Sequence, residues 1–458
     1  MYFQQFYLAC LSQASYMIGS EGVACVVDPR RDVSLYLDEA AKENLRIEHV
    51  IETHLHADFV SGHRELADRT GAKVYLGWRA GAKFPHVAVH DGDQIRFGRV
   101  ILRFLETPGH TIESVCVAVT DLDRGEKPFA VLTGDTLFIG DVGRPDLSPD
   151  LSPRELAAML FDSLHQKILP LGDEVEVYPA HGAGSLCGKQ MRQERQSTIG
   201  KERALNYALR AQTKEEFVRL LTAEPPERPE YFALDAEINR RGAPALTDLP
   251  PLARLSCQQI LARREAIVLD TRPPLQFGAG HIPGAVNIPL AGQYASLAAT
   301  LVGLDRDIIL IAEDEERLEE SRVRLARVGI ERVIGTLEGG MPAWRGAVQQ
   351  IPQISVHDLA RERPQVQVVD VRRRAEWDEG HIEGAKLMPL GRLESMLGEL
   401  RRDVPVAVHC QSGYRSAVGC SLIQRAGFEN VRNVTGGFAA WRACGLPEVS
   451  GEAVSLDR

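Results

Sequence analysis

The chain has 458 residues and a formal charge of −10, too long for one ordinary domain, so roughly two to four are expected. Its 44% hydrophobic and 25% charged residues are those of a globular protein, and the negative balance, with no basic stripe or arginine-rich tail, argues against a nucleic-acid binder. No apolar run approaches the roughly 18 residues of a membrane span, no signal peptide is read at the start, and the eight cysteines include no CxxC pair, so reduced thiols in the cytoplasm are expected.

Residues 1–245 alternate short apolar runs with helical stretches. Ala24–Val27 reads as a buried strand ending in the turn Asp28-Pro29, and Val33–Asn44 as a helix with apolar Leu35, Leu37, Ala40 and Ala41. His49–Glu52 reads as a strand leading into Thr53-His54-Leu55-His56-Ala57-Asp58-Phe59. That run is H-x-H-x-D, three metal-capable side chains at alternating positions. Ile101–Leu105, Val115–Val119 and Ala130–Leu132 are further strands, each followed by a loop rich in Gly, His or Asp. Later loops add His110 in Thr107-Pro108-Gly109-His110-Thr111, Asp135 in Leu132-Thr133-Gly134-Asp135-Thr136, and His181 in Tyr178-Pro179-Ala180-His181-Gly182. Any single histidine, such as His63 or His165, reads as an ordinary loop residue. The ordered set reads as a metal site on loops at strand ends.

Pro225-Pro226-Glu227-Arg228-Pro229 interrupts this pattern, and the proline-containing segment Ala243–Leu252 reads as a linker. An internal repeat follows. Residues 267–289 and 368–389 share a pattern in which Asp270 pairs with Asp370, His281 with His381 and Gly284 with Gly384. The copies end in parallel, Gly339-Gly340-Met341-Pro342-Ala343-Trp344 against Gly436-Gly437-Phe438-Ala439-Ala440-Trp441, and join near Ala347–Pro352. The expected domains are 1–245, 253–348 and 353–450.

In the second copy, the apolar strand Val406–Val408 runs through His409 into Cys410-Gln411-Ser412-Gly413-Tyr414-Arg415-Ser416 and a helix-like stretch. Backbone N–H groups of such a loop, the helix dipole and Arg415 favour a thiolate at Cys410 and cradle a persulfide or an oxyanion. Cys410 and Arg415 also have the C-x5-R spacing of a Cys-dependent phosphatase. In the first copy the same loop reads Ala312-Glu313-Asp314-Glu315-Glu316-Arg317, with no nucleophile and four acidic groups.

Residues 1–245 resemble the metallo-β-lactamase fold, specifically its persulfide dioxygenase branch. The further matches are Gln13-Ala14-Ser15-Tyr16, Gly140-Asp141-Val142-Gly143-Arg144-Pro145-Asp146 and His181-Gly182-Ala183-Gly184-Ser185. The resemblance implies one Fe(II) per chain, held by His54, His110 and Asp135. That two-His, one-carboxylate set leaves positions for substrate sulfur and O₂. His56, Asp58 and His181 would then orient ligands or water around it. Phe59 stands where such folds usually carry another His, which favours one metal over two. Arg144 is a candidate contact for a substrate carboxylate or, equally, the partner of Asp141 or Asp146 in a structural ion pair, and Cys187 is a candidate substrate contact.

Residues 353–450 resemble a rhodanese, with Asp370, Gly380-His381-Ile382 and Gly384-Ala385 matching its early motif. The match makes Cys410 the sulfur-carrying nucleophile and Arg415 an anion binder, with Gly413 and Ser416 lining the loop. Residues 253–348 read as a degenerate rhodanese-like domain.

The whole resembles a persulfide dioxygenase–rhodanese fusion. The expected fold is an N-terminal metallo-β-lactamase αββα sandwich followed by two rhodanese-like α/β domains. The expected partners are a low-molecular-weight thiol persulfide, O₂, sulfite and thiosulfate, with no nucleic acid and no membrane, in a homo-oligomer. The alternatives are a glyoxalase II-like hydrolase with two zinc ions and a non-enzymatic sulfur carrier or sensor.

Overall fold

The computed structural model describes residues 1–148, 150–211, 213–223 and 228–450. Of the proline segment at 225–229, positions 225–227 lie outside the described residues. The chain divides into two compact units, residues 1–250 with 325–329, and residues 251–324 with 330 onward.

The first unit holds two six-stranded sheets. One contains β1 (Tyr2–Leu8), β2 (Gln13–Ser20), β3 (Val23–Val27), β4 (Arg46–Ile51), β5 (Lys73–Gly77) and β6 (Val87–Val89) in sequence order. The other contains β7 (Gln94–Phe97), β8 (Val100–Glu106), β9 (Val115–Asp121), β10 (Ala130–Gly134), β11 (Glu176–Pro179) and β12 (Ser197–Thr198). Successive side chains of a strand point to opposite faces. In β2, Tyr16 and Ile18 therefore join Leu102, Val117 and Leu132 between the sheets, while Met17 packs outward with Tyr36 and Leu66 under the helices Ser34–Lys42 and His63–Thr70. The second sheet is likewise covered, by Leu160 and Phe217 of the helices Pro153–Ser163 and Lys214–Thr222 against Ala118, Val131 and Val177. The result is the expected four-layer αββα sandwich. Each fully buried Leu or Phe contributes about 1.5–3 kcal/mol, which makes this core a rigid platform for its loops.

Parallel pairing gathers the functional loops. β3 pairs in parallel with β4, and β10 with β11, so the segments leaving each pair, Asp28 beside Thr53 and Asp135 beside His181, emerge side by side.

The second unit contains two parallel five-stranded sheets, one per repeat. The first is built from β13 (Ala253–Leu255), β14 (Ile267–Asp270), β15 (Val286–Asn287), β16 (Ile308–Ile311) and β17 (Val333–Leu337), in the order β13-β17-β16-β14-β15. The second has β18 (Gln353–Ile354), β19 (Gln367–Asp370), β21 (Lys386–Leu387), β22 (Val406–His409) and β23 (Val431–Val434), in the matching order β18-β23-β22-β19-β21. A short β20 (His381–Ile382) pairs with β24 (Glu448–Val449). The shared motif residues serve the fold. Asp270 and Asp370 each hold an arginine two residues on, at 2.6 Å, and His281 and His381 stack on Phe277 and Trp377. Among the described residues no helix is long and apolar enough to cross a membrane.

Candidate functional site

His54, His110 and Asp135 converge, each offering one ligand atom, all within 4.8 Å of one another and all buried. Their orientation is set from behind. His54 Nδ1 lies 3.0 Å from Thr53 Oγ1, which itself donates to Asp28 Oδ2 at 2.9 Å. The hydroxyl can then only accept from the imidazole, so Nδ1 carries the proton and Nε2 presents a lone pair. His110 Nδ1 donates in the same way to the Arg144 carbonyl at 3.0 Å. His54 Nε2, His110 Nε2 and Asp135 Oδ2 have no hydrogen-bond partner among the described residues, and a buried polar atom without a partner is costly. Burial lowers the pKa of both imidazoles, keeping them neutral as ligands must be. The chemistry and direction of these three atoms fit a divalent metal with open positions.

Around this triad lies a second layer. Asp135 Oδ1 accepts from His181 Nδ1 at 2.7 Å, and His181 Nε2 sits 2.9 Å from Asp58 Oδ2. Burial opposes a charge on His181, but Asp135 and Asp58 outweigh it and raise its pKa. Cys187 joins Asp58 and His181 in a second buried group whose ligand atoms lie within 4.8 Å. Burial first, then Asp58 and Asp135, push its thiol pKa up.

His56 takes a different direction. Its Nε2 is 3.1 Å from Asp28 Oδ1 and 3.3 Å from Glu52 Oε2. Burial opposes its charge, yet Asp28 and Glu52 raise its pKa to about 10, which favours the imidazolium beside these two carboxylates; the three side chains also form a buried group with ligand atoms within 4.8 Å of one another. Phe59 is buried with its ring 4.3 Å from that of His56. His63, read from sequence as an ordinary loop residue, is buried at the start of a helix, 3.5 Å from Glu52.

Arg144 is already occupied. Its guanidinium holds Asp146 through two bonds of 2.6 and 2.8 Å and the Leu186 carbonyl at 3.1 Å. Gly143 is needed for close approach, since a Cβ there would collide with the Asp135 carbonyl oxygen and lie 2.9 Å from His110 Nδ1. Asp141, Gly143 and Arg144 also line a cavity of about 390 Å³ with Pro153, Tyr207 and Leu221, but none of His54, His110, Asp135, Asp58, His181 and Cys187 lines it.

Sequence reading missed Asn239. It lies buried in the helix Tyr231–Arg241 and clamps the loop that carries His54, His56 and Asp58: its Nδ2 donates to the His56 and Phe59 carbonyls at 2.7 and 2.8 Å, and its Oδ1 accepts the Ser61 N–H at 2.8 Å. A lone asparagine 183 residues from its partner carries no local signal. Asn239→Ala leaves three buried backbone groups unpaired and is expected to cost about 2–4 kcal/mol. Calorimetry should show a lowered Tm and metal analysis a reduced metal content; unchanged values in both would deny the clamp.

In the second repeat Cys410 directly follows β22 and is buried. Its Sγ accepts the Gly413 N–H at 3.1 Å and lies 3.6 Å from Ser416 Oγ. Gly413 has φ +103°, a left-handed turn that lets the helix Tyr414–Arg425 start beneath the sulfur. The Cys410 and Gln411 carbonyls accept from Phe438 and Ala439 N–H at 2.7 and 2.9 Å, so the Gly-Gly-Phe segment pins the loop. Arg415 does not point free into solution: it pairs with Glu376 at 2.7 and 2.6 Å. In the first repeat Ala312 follows β16 just as Cys410 follows β22, and its helix starts at Glu315, with no glycine turn. Glu313 and Glu315 are bound by Gln276 and Arg254.

Residues 8–181 match the metallo-β-lactamase superfamily, and residues 255–347 and 355–444 each match the rhodanese-like domain. The structure of a metallo-β-lactamase from Staphylococcus aureus subsp. aureus COL is 32% identical with a TM-score of 0.67, covering 74% of this chain and 98% of that one. The mitochondrial persulfide dioxygenase ETHE1 of Homo sapiens is 29% identical over 231 residues, 50% of this chain and 83% of its own length. A hydroxyacylglutathione hydrolase of Francisella tularensis subsp. novicida is 32% identical over 173 residues, 37% of this chain and 63% of its own length. The chain belongs to the metallo-β-lactamase superfamily and joins that domain to two rhodanese-like domains. Its first domain is similar to the persulfide dioxygenase ETHE1, and with the two rhodanese-like domains this marks the chain as an enzyme.

Proposed function

We propose that the enzyme oxidises low-molecular-weight thiol persulfides with O₂ and exchanges sulfane sulfur through Cys410. The observation that carries the first half is the donor set: two neutral imidazoles and one carboxylate aimed at one point, with His56 turned away into a carboxylate pair and Phe59 beside it. This set suits one Fe(II) per chain. Bound there, the iron would supply the activation of O₂ and persulfide sulfur. The net reaction is R–S–SH + O₂ + H₂O → R–SH + SO₃²⁻ + 2 H⁺. The chain's own part is to hold the two Nε2 lone pairs and Asp135 Oδ2 in place, to keep His181 bridging Asp135 and Asp58, and to enclose the site in buried groups.

In the second half, the Cys410 thiolate takes the terminal sulfur of another persulfide and releases R–SH. The cysteine persulfide then passes that sulfur to sulfite, giving thiosulfate and the free thiolate. The Gly413 N–H faces the sulfur throughout, and hydrogen bonds to an anion are roughly twice as strong as neutral ones. Run backwards, thiosulfate and a thiol would supply the persulfide. The Asp370 and His381 framework supports this reading over a C-x5-R phosphatase, and the bidentate Glu376 partner of Arg415 reduces the positive charge a phosphate would need.

One observation favours a second reading, a thioester hydrolase with two zinc ions: Asp58, His181 and Cys187 form a second group of ligand atoms. Against it, Phe59 and not another histidine follows Asp58, its ring buried beside that of His56. Metal exchange separates the two. Fe(II)-loaded protein is expected to form sulfite from a thiol persulfide, one O₂ per sulfite, and Zn(II)-loaded protein to form none. Thioester cleavage by the zinc form at enzymatic rates, with no sulfite from the iron form, would establish the hydrolase instead.

A further inference from the structure

The degenerate repeat has no nucleophile, yet it holds the helix that follows the nucleophile's loop. Both repeats lie in one compact unit. Three side chains of the helix Tyr414–Arg425 reach across. Tyr414 Oη donates to the Pro289 carbonyl at 2.9 Å, and Ser421 Oγ accepts the Asn287 N–H at 3.0 Å. Gln424 Oε1 lies 2.9 Å from His281 Nε2, and its Nε2 donates to the Gln350 carbonyl at 3.0 Å. At 3.6 residues per turn, positions 414, 421 and 424 fall on one side of the helix. Three of their partners lie in residues 281–289, the stretch that matches 381–389 of the second repeat. The retained motif thus serves the neighbouring repeat.

Tyr414 bears most closely on the chemistry. It is the first residue of the helix and directly follows Gly413, whose N–H donates to Cys410 Sγ at 3.1 Å. Its acceptor is fixed: the next residue, Leu290, donates its N–H to the Thr271 carbonyl at 3.0 Å and accepts from Arg324 through its own carbonyl. Burial pushes the Tyr414 phenol pKa up, so the hydroxyl stays a donor across the working pH range. We propose that Tyr414 is a positioning residue for sulfur transfer, through which the degenerate repeat aims the Gly413 N–H at the Cys410 sulfur. The proposal rests on Cys410 being the nucleophile. A donor aimed at developing charge is worth on the order of a hundredfold or more in rate when removed outright, and one that is only displaced costs less, about tenfold.

The test is Tyr414→Phe in the full chain, read in two ways. One is the rate at which iodoacetamide alkylates Cys410 near neutral pH, followed on the peptide that carries it. The other is kcat and KM for thiosulfate:thiol sulfur transfer. Both the alkylation rate and kcat are expected to fall about tenfold, with KM changed by less than about twofold and O₂ consumption unchanged. Ser421→Ala, two turns further along the helix, is expected to change either rate by less than about twofold. Unchanged rates in Tyr414→Phe would overturn the proposal. So would equal losses in both variants, or a drop only in the fraction of molecules that react, since those outcomes mark general loosening. Failure of the nucleophile assignment looks different: Cys410→Ser would retain sulfur transfer whatever Tyr414→Phe does to alkylation.

Discussion

Replacing His54 by Ala is expected to abolish O₂-dependent sulfite formation while thiosulfate:thiol sulfur transfer continues at the wild-type rate. The expectation follows from how little redundancy surrounds the triad. Among the described residues this group consists of His54, His110 and Asp135 alone. His56, the nearest substitute, is held by Asp28 and Glu52 at 3.1 and 3.3 Å, and drawing it out would leave two buried carboxylates without their cation, a cost of several kcal/mol. Losing a partner that merely orients a ligand costs about 10–100-fold in metal affinity or activity, so losing a ligand itself is expected to cost about a thousandfold or more. Iron content should fall in parallel, measured by elemental analysis. Retained O₂ uptake in a protein that still binds iron would remove His54 from the ligand set.

The second large effect is the converse. Cys410→Ser is expected to lower sulfur transfer by about a thousandfold or more while O₂ uptake persists, because a serine hydroxyl can neither ionise readily nor hold sulfane sulfur at neutral pH. The site is otherwise preserved: the Gly413 N–H and Ser416 Oγ can bond an oxygen where they now meet sulfur at 3.1 and 3.6 Å. Cys420 of the same helix does not stand in, since it lies buried within the helix, and Ala312 occupies the equivalent place in the first repeat. With the variant, persulfide turnover should accumulate sulfite, where the wild type forms thiosulfate. Sulfur transfer at an undiminished rate would refute Cys410 as the carrier.

The convergence of His54, His110 and Asp135 was legible because these residues sit in short motifs, each at a strand end, and their order along the chain is the signal. The repeat was legible from matched aspartate, histidine and glycine positions. What sequence did not reveal depends on partners brought together by sheet pairing. His56 turns toward Asp28 only because β3 and β4 run parallel and deliver Asp28 beside Thr53. Arg415, read as anion-facing, meets Glu376 39 residues back, while Arg144, read either as a contact for a substrate carboxylate or as the partner of Asp141 or Asp146, takes Asp146 two residues on. A nearby carboxylate is visible in sequence, but whether it or a ligand takes the guanidinium is a matter of side-chain direction. Asn239 and Tyr414 are single polar residues whose acceptors lie 183 and 125 residues away, and no local pattern marks them.

The most direct test is O₂ consumption with glutathione persulfide on anaerobically purified protein across a series of known iron contents. Uptake should rise in proportion to iron and reach its limit at about one iron per chain, with sulfite formed in step. Iron-loaded protein that consumes no O₂, together with a zinc form that cleaves a glutathione thioester, would contradict the dioxygenase reading and move the first domain to the hydrolases.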